Sequence, residues 1–186
     1  MKKAYITGAT GAIGMALVGE LLKNRISTTV FLRKDSGRNA RVKDSFSGEL
    51  ARGLLRIEYV SLEELSGYAL SRNTQDMKTY ASQDLLTKAA GGADTAVFYH
   101  LGWSGTFGEQ RNDADMQQKN VEYTLDAVRL AKRLGCVHFI GVGSQAEYGR
   151  FDGRLTPDTR TLPENEYGRA KLAAGIRSAE LCLSLI

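Results

Sequence analysis

The sequence predicts an α/β protein built on a doubly wound parallel sheet. Short apolar or β-branched runs recur through the chain, helical patterns lie between them, and a glycine-spaced turn joins the first run to the first helical pattern. Strands that alternate with helices are typical of parallel βαβ units. With 186 residues and 42% apolar content the chain can build one substantial core, so we expect a single domain over residues 1–186.

The composition narrows the classes of partner. The net charge is a modest +4, and the basic residues are scattered rather than interleaved with aromatic ones, so we expect no nucleic-acid partner. An anionic small molecule suits this charge. No stretch of the sequence is apolar for long enough to span a bilayer. Cys136 and Cys182 lie in apolar surroundings, which favour inert core thiols over a disulfide or a metal site. We therefore expect a soluble, cytoplasmic protein with no membrane partner and no bound metal.

The glycine-spaced turn is the segment YITGATGAIG, residues 5–14. Gly8 permits backbone torsions that a side chain would forbid, Gly11 lets a ligand approach the backbone, and Gly14 lets the helix lie against the strand. The first amides of the helix are unpaired and form a site for an anion such as a pyrophosphate. The turn therefore predicts dinucleotide binding, and the alternative is a glycine-rich turn without a ligand.

Residues 27–32 form a β-branched and aromatic run that predicts a second strand, and Arg33 follows it. In dinucleotide-binding folds the residue at this place, about 20 positions after the glycine turn, faces the adenosine ribose. A carboxylate there binds the ribose hydroxyls, whereas a guanidinium pairs with a 2′-phosphate. Arg33, with Lys34 and Arg38 close behind it, thus favours NADP(H), although NAD stays possible. The alternatives are a solvated basic loop, and Asp35 in the ribose-binding role.

The rest of the chain predicts further elements in order. They are a helix or loop over 40–55, a third strand over 54–60, a short helix over 84–90 closed by Gly91-Gly92, a buried strand over 95–101, a long helix over 113–134, a fifth strand over 137–142, and a last helix from about 166. Residues 61–83 show no clear period, and the apolar residues 181–186 are typical of a strand that is beginning. His100 lies inside an apolar strand, so we expect a packed core histidine rather than a catalytic base.

The long helix carries Asn120 near its middle. Its apolar residues are spread around more than one side, which predicts packing on two sides, against the sheet and against another subunit. These residues are Met116, Val121, Leu125, Val128, Leu130 and Ala131.

Tyr167 and Lys171 are four residues apart in the last helix, so both project from one face. A tyrosine is a poor acid or base at neutral pH, and a neighbouring ammonium favours its reactive phenolate. Ser144, at the end of the fifth strand, can hold a carbonyl oxygen beside the phenol, and Lys171 can also bind a nicotinamide ribose. A tyrosine and a lysine at this spacing are commonly a surface pair. The order of glycine turn, Asn120, Ser144, Tyr167 and Lys171 favours a catalytic group.

Five motifs stand in the order in which one enzyme family has them. They are Thr7 through Gly14, Asp94 with His100-Leu101-Gly102-Trp103, Asn120-Val121, Ser144 through Gly149, and Tyr167-Gly168-Arg169-Ala170-Lys171. The chain resembles the extended short-chain dehydrogenases/reductases, in particular the NAD-dependent epimerase/dehydratase group that modifies nucleotide sugars. The resemblance implies a Rossmann fold and an oxidoreductase that transfers a hydride at a sugar carbon, with a nucleotide sugar as its small-molecule partner.

The resemblance also implies roles for the matching residues. Tyr167 would be the acid and base, Ser144 would orient the sugar oxygen, and Lys171 would tune Tyr167. Homodimers would form through the helices of Asn120 and Tyr167. Together with Arg33 from the strand end, the expected cofactor-binding residues are Gly8, Thr10, Gly11, Ala12, Ile13, Gly14, Arg33, Leu101, Gly102, Trp103, Asn120 and Lys171.

Three departures from the family pattern narrow the function. Arg33 stands where NAD-binding members carry an acid. The 4,6-dehydratases have an Asp-Glu pair directly after the serine, and Gln145 and Ala146 at those places move no proton, which leaves a 4-ketoreductase or an epimerase. The chain stops about fifteen residues after Lys171, so we expect a truncated protein without the C-terminal substrate domain. The alternative functions are a non-catalytic dinucleotide-binding module, such as a sensor or scaffold, and an inactive fragment.

Overall fold

The computed structural model describes residues 1–71 and 95–184. The short helix predicted over 84–90, its closing glycines Gly91-Gly92, and Asp94 lie outside the described residues. By its internal contacts the chain forms two compact units, residues 1–102 with 129–140, and residues 103–128 with 141–186. The single domain over residues 1–186 stays a prediction.

Five strands form one sheet, and they lie where the β-branched and apolar runs predict them. The strands are β1 (Lys3–Thr7), β2 (Ser27–Leu32), β3 (Leu55–Tyr59), β4 (Ala96–His100) and β5 (Cys136–Gly141). Their order across the sheet is β3-β2-β1-β4-β5. Strand β1 pairs in parallel with β2 on one side and β4 on the other, so Thr7 lies opposite both Phe31 and His100. This order confirms the doubly wound sheet of a Rossmann fold, whose topological switch point lies between β1 and β4.

Six α-helices and three 3-10 helices connect and follow these strands in the described ranges. The α-helices are α1 (Ala12–Lys23), α2 (Asn39–Ser45), α3 (Ser47–Ala51), α4 (Leu65–Ser71), α5 (Ala114–Arg133) and α6 (Glu166–Ser184). The 3-10 helices are Leu62–Glu64, Gly108–Asn112 and Gln145–Glu147. None of the helices in the described part of the chain combines the length and the apolar character needed to cross a membrane.

One sequence prediction needs correction, and one stretch without a prediction proves to be helical. The strand expected to begin at Leu181 is wrong as far as Ser184, because α6 continues to that residue through a run of good helix formers. A short apolar run does not by itself distinguish a strand from a helix end. Residues 61–71, which show no clear period, contain a 3-10 helix and α4. Ser61 and Glu64 form a capping box there, and this spacing is a helix signal that the sequence does carry.

The sheet of the first unit has two different faces. On one face Ile6, Val30 and Leu55 pack with Val18 of α1 and Val42 of α2 in an aliphatic core. The other face carries stacked aromatic rings from neighbouring strands, with centroids 5.8–6.4 Å apart. These rings belong to Phe31, Tyr5, Phe98 and Phe139. Strands β1, β2 and β4 bury most of their residues, as the central strands of a parallel sheet do, whereas β5 exposes Val137 and Ile140.

His100 is a packed histidine, as predicted. It is 3% exposed, its Nδ1 lies 2.9 Å from Thr7 Oγ1, and its ring stacks on Phe139. The same Thr7 Oγ1 accepts a hydrogen bond of 3.2 Å from the Gly102 amide. His100 therefore ties the end of β4 to the end of β1. Both cysteines are free, and burial raises the pKa of Cys136 to about 12.

The turn after β1 leaves no room for a side chain at Gly8 or at Gly14. Gly8 has a φ of +73°, and a Cβ atom there would lie 2.6 Å from the carbonyl carbon of Leu101. A Cβ atom on Gly14 would lie 2.3 Å from the Gly8 carbonyl oxygen. Both distances are far below van der Waals contact, so the turn presses directly on the loop after β4, and α1 presses directly on the turn.

We expect Gly8→Ala to destabilise the protein much more than Gly53→Ala. Gly53 has a similar φ of +71° with no atom within 4 Å of a Cβ position, so its substitution incurs only left-handed strain of about 1–2 kcal/mol. Gly8→Ala adds a backbone clash, which costs a further ~1–3 kcal/mol. Urea unfolding of the two variants measures the difference. Equal losses would show that the turn can move away from Leu101 without cost.

Candidate functional site

The glycine turn (Thr7–Gly14) contains six of the predicted cofactor-binding residues, Gly8 and Thr10 through Gly14. The Gly11 amide donates to the Gly8 carbonyl at 3.2 Å, and Gly11 is the N-cap of α1 without any side-chain cap. A Cβ atom at Gly11 would meet only the Gly8 oxygen, at 3.5 Å. The amides that open the 12-residue helix α1 therefore have no side-chain partner, and a phosphate could approach them closely.

The loop after β4 borders this turn. The Leu101 amide donates to the Thr7 carbonyl at 3.2 Å, parallel to the Gly102 bond to Thr7 Oγ1. A Cβ atom on Gly102 would lie 2.8 Å from a methyl group of Leu62, so a side chain at that place would have to displace the Leu62 side chain. Leu101 and Gly102, predicted from the sequence as cofactor-binding residues, thus lie against Gly8 at the switch point of the sheet.

The basic corner (Arg33–Arg38) follows β2 and presents exposed cations. Within the described ranges, the side chains of Arg33, Lys34 and Arg38 have no carboxylate partner. Asn39, which the sequence analysis did not select, stabilises the backbone of this corner by hydrogen bonds. It is 7% exposed, and its Nδ2 donates to the carbonyls of Arg33 at 2.9 Å and Lys34 at 3.2 Å. Its Oδ1 is buried without a hydrogen-bond donor among the described residues.

In the second unit, the start of α6 is fixed by close contact. The Gly168 amide donates to Asn165 Oδ1 at 2.8 Å, which caps the helix. A Cβ atom on Gly168 would lie 2.3 Å from the Ala146 carbonyl oxygen, so the first turn of α6 rests on the 3-10 helix Gln145–Glu147. This contact places Tyr167, which is 9% exposed, beside the segment that begins with Ser144.

Tyr167 belongs to a group of four side chains, which we call the tyrosine cluster (Trp103, Arg111, Tyr167, Lys171). The Trp103 ring meets Tyr167 edge-on with centroids 6.0 Å apart, and the Lys171 ammonium lies 3.8 Å from the Trp103 ring centre. The Arg111 guanidinium lies 4.3 Å over the Tyr167 ring. Two cations therefore face aromatic rings, an arrangement that is favourable when water is excluded.

Lys171 is 8% exposed and donates to the Val142 carbonyl at 2.9 Å. Burial lowers the pKa of Lys171 to about 8, and the nearby Glu147 carboxylate acts in the opposite direction. A lysine with this pKa can change its protonation near physiological pH, as catalytic lysines do.

Ser144 caps the 3-10 helix Gln145–Glu147. Its Oγ accepts the Ala146 amide at 3.2 Å, and its own amide donates to Glu147 Oε1 at 2.5 Å. Because Oγ is the acceptor in this cap, its hydroxyl hydrogen is available for a substrate oxygen.

Asn120 is 1% exposed and binds backbone on both ends of its amide. Oδ1 accepts the Ser104 amide at 2.9 Å, and Nδ2 donates to the Ser104 carbonyl at 2.9 Å. Its observed role is to hold the loop that follows Trp103, and a direct contact with a cofactor stays a prediction.

Three residues of the second unit escape the sequence analysis. Glu147 follows Ser144 at capping-box spacing, a signal that the sequence does carry. Arg111 and Gln117 have no such local pattern. Gln117 is 1% exposed. Its Oε1 accepts a hydrogen bond of 2.9 Å from the Trp103 indole N–H, and its Nε2 donates to the carbonyls of Gly105 and Gln110.

A model of the NAD dependent epimerase/dehydratase family matches residues 4–178. Among curated proteins none gives a significant match. The solved structures that resemble this chain include the UDP-Glc/GlcNAc 4-epimerase from Campylobacter jejuni, at 19% identity and a TM-score of 0.74, with 99% of this chain and 50% of that chain covered.

Two further similar structures contain NAD. The UDP-glucuronic acid 4-epimerase from Bacillus cereus is 20% identical with a TM-score of 0.64, and the match covers 98% of this chain and 52% of that one. The enzyme WbmG from Bordetella bronchiseptica is 16% identical with a TM-score of 0.69, and the match covers 96% and 49%. At these identities the similarity shows a shared fold. The chain spans about half the length of the structures it matches.

We expect the stability contributed by Lys171 to rise with pH above about 8. Its pKa in the folded protein is below the value near 10.4 of an unfolded chain. Between these two values the unfolded chain binds a proton that the folded protein does not, so the free energy of unfolding rises with pH, by up to about 3 kcal/mol. Urea unfolding from pH 7.5 to 10.5, at intervals of about half a unit, should show this rise in the wild type and not in Lys171→Met. Lys119→Met, at an exposed lysine of α5, serves as the control. The same pH dependence in wild type and Lys171→Met would contradict the prediction.

Proposed function

Because the chain belongs to the NAD dependent epimerase/dehydratase family, we propose that it is the dinucleotide-binding part of an oxidoreductase that acts on a nucleotide sugar. The observation that carries the proposal is the tyrosine cluster, in which a buried lysine with a lowered pKa lies one helical turn from Tyr167. A surface pair at the same spacing would have neither the burial nor the aromatic partners.

The residues of this chain divide the work as follows. The glycine turn binds the pyrophosphate through the first amides of α1. Tyr167 takes a proton from a sugar hydroxyl, or returns one to a carbonyl oxygen, and the charge of Lys171 favours the phenolate that takes it. Ser144 donates its free hydroxyl hydrogen to the same sugar oxygen. The nicotinamide dinucleotide, when bound, accepts or returns the hydride.

The reaction is proposed to be an epimerisation or a ketone reduction at the sugar C4 position. Two of the similar structures are 4-epimerases of UDP sugars, which supports C4 as the reacting carbon and a UDP-linked sugar as the substrate. The positions after Ser144 are Gln145 and Ala146, and neither side chain moves a proton, so elimination of water has no acid and base there.

We expect Tyr167→Phe to abolish most of the turnover and to leave dinucleotide binding intact. Losing a general acid and base costs roughly 100- to 10,000-fold in rate. The assay follows NADPH oxidation with nucleotide-linked 4-keto sugars, and interconversion of UDP-linked 4-epimers by chromatography. Tyr123→Phe on α5 is the matched control and should keep wild-type turnover. Because this chain spans about half the length of the similar structures, the assay is run on the chain alone and together with a longer homologous chain whose own catalytic tyrosine is substituted. Dinucleotide binding without turnover in either arrangement would overturn the enzyme assignment and leave a non-catalytic binding module. Absence of dinucleotide binding would overturn both.

The cofactor is proposed to be NADP(H), because the basic corner offers exposed cations where a carboxylate would select NAD. The Bacillus cereus and Bordetella bronchiseptica structures contain NAD, so this preference rests on the basic corner alone. A charge-assisted pair with a 2′-phosphate contributes about 1.5–3 kcal/mol, which is on the order of tenfold to a hundredfold in affinity.

Calorimetric titration should therefore show tighter binding of NADPH than of NADH, and Arg33→Ala should bring the two affinities together. Arg52→Ala is the control for the loss of one positive charge. Arg52 directly precedes Gly53 and β3, so it lies at the end of the sheet opposite the basic corner, and it pairs with Glu49. Equal affinities in the wild type, or an unchanged ratio in Arg33→Ala, would reject NADP(H) selection by this corner.

A homodimer through α5 and α6 is a further proposal. The apolar residues of α5 from Val121 to Ala131 are buried within the chain, and Ala170 and Ala174 of α6 pack on Val121. The described part of α6 exposes Ile176, at 52%, and this side chain is available to a partner. Sedimentation velocity at micromolar concentration tests it, with Ile176→Glu as the disrupting variant.

A further inference from the structure

Trp103 is the one tryptophan of the sequence, and the Lys171 ammonium lies over the face of its ring. The ammonium lies 3.8 Å from the ring centre, well inside the range in which a cation is attracted to an aromatic face. The indole is the most favourable of the aromatic rings for this contact. The attraction strengthens in a site from which water is excluded, and Lys171 is 8% exposed.

The position of the indole is itself fixed by buried hydrogen bonds. Its Nε1–H donates to Gln117 Oε1 at 2.9 Å, and Gln117 Nε2 donates to the carbonyl of Gly105 at 2.8 Å and that of Gln110 at 2.9 Å. Gly105 has a φ of +70°, and a Cβ atom there would lie 2.5 Å from the Met116 sulfur and 2.9 Å from Gln117 Nε2. The loop is therefore built closely around Gln117, and Gln117 holds the ring.

Burial and the indole act on Lys171 in opposite directions. Removal from water favours the neutral amine, and a neutral amine has no charge with which to favour a phenolate at Tyr167. The aromatic face, the Val142 carbonyl and the Glu147 carboxylate all favour the ammonium. Arg111, also a member of the cluster, places a second cation over the Tyr167 ring.

We propose that Trp103 is a positioning residue that keeps Lys171 charged and on the Tyr167 side of α6. This role deepens the proposed function, since it concerns the same acid and base.

The direct test is the pKa of Lys171, measured by NMR from the pH dependence of its ¹³Cε signal in lysine-labelled protein. Lys171→Met assigns the signal. Trp103→Leu should lower the pKa of Lys171 by about half a unit to one and a half units, which is the expected size of a desolvated cation–aromatic contact. Trp103→Phe keeps an aromatic face and should lower it by less. The Lys119 signal is the internal control and should not move.

The direction of the shift decides between the two views of Trp103. If the ring only fills space, its removal admits water, and the pKa of Lys171 rises toward that of a free lysine; an unchanged or raised value in Trp103→Leu overturns the proposal.

A second measurement uses the wild-type chain without substitution at the ring. The fluorescence of the single tryptophan should titrate with the midpoint of Lys171, and Lys171→Met should lose that transition. Persistence of the transition in Lys171→Met would also count against the proposal.

These measurements need no cofactor and no substrate, so their outcome is separate from that of the proposed function. A chain that binds no dinucleotide and turns over no sugar can still show the predicted shift, and the proposed function would then fail alone. If turnover is observed, Trp103→Leu should move the alkaline limb of its pH profile to lower pH, as a loss of Lys171 charge requires.

Discussion

The first unit depends on the direct backbone contact between the turn after β1 and the loop after β4. Gly8 lies so close to Leu101 that a single methyl group would overlap the main chain, and Gly14 meets Gly8 in the same way. These contacts let α1 begin immediately at the end of the central strand. The helix start has no side-chain cap because its N-cap residue, Gly11, carries no side chain. The resulting bare amides are what a phosphate group requires.

The second unit relies on the same device at Gly168, where α6 meets the Ala146 carbonyl. Close approach at that point buries Lys171, and burial shifts its pKa toward the neutral range. A charged lysine in such a place lowers the stability of the fold below pH 8, relative to an apolar residue of similar volume. Local conflicts of this kind are expected at functional sites, where stability is given up for reactivity. The surrounding carbonyl, carboxylate and indole groups reduce that loss.

The sequence predicts the strands well and the short helices poorly, for a physical reason. A strand such as β2 is a complete β-branched run whose ends coincide with the change in residue type. Helices α2 and α3 have only seven and five residues, less than two full turns, so no helical period can develop.

Tyr167 and Lys171 can be recognised in the sequence because their relation is local to one helix. Arg111 cannot, because its contact with Tyr167 joins residues that are distant in sequence. Asn120 is readable as a special position, yet its bonds to Ser104 follow only from the tertiary structure.

Two groups of cations in this chain show that burial, rather than residue type, decides their chemistry. The cations of the basic corner are exposed, and they are screened by water until a ligand removes that water. Their contribution to affinity arises only in the complex, which makes them suited to discriminating a phosphate from a hydroxyl. Lys171 is desolvated before any ligand arrives, so its charge is conditional on pH and on its immediate neighbours. The charge of Lys171, which lies next to the Tyr167 phenol, can change when a proton moves, whereas the cations of the basic corner only hold an anion in place. The two arrangements therefore correspond to the two tasks proposed for the chain, recognition of a dinucleotide and transfer of a proton.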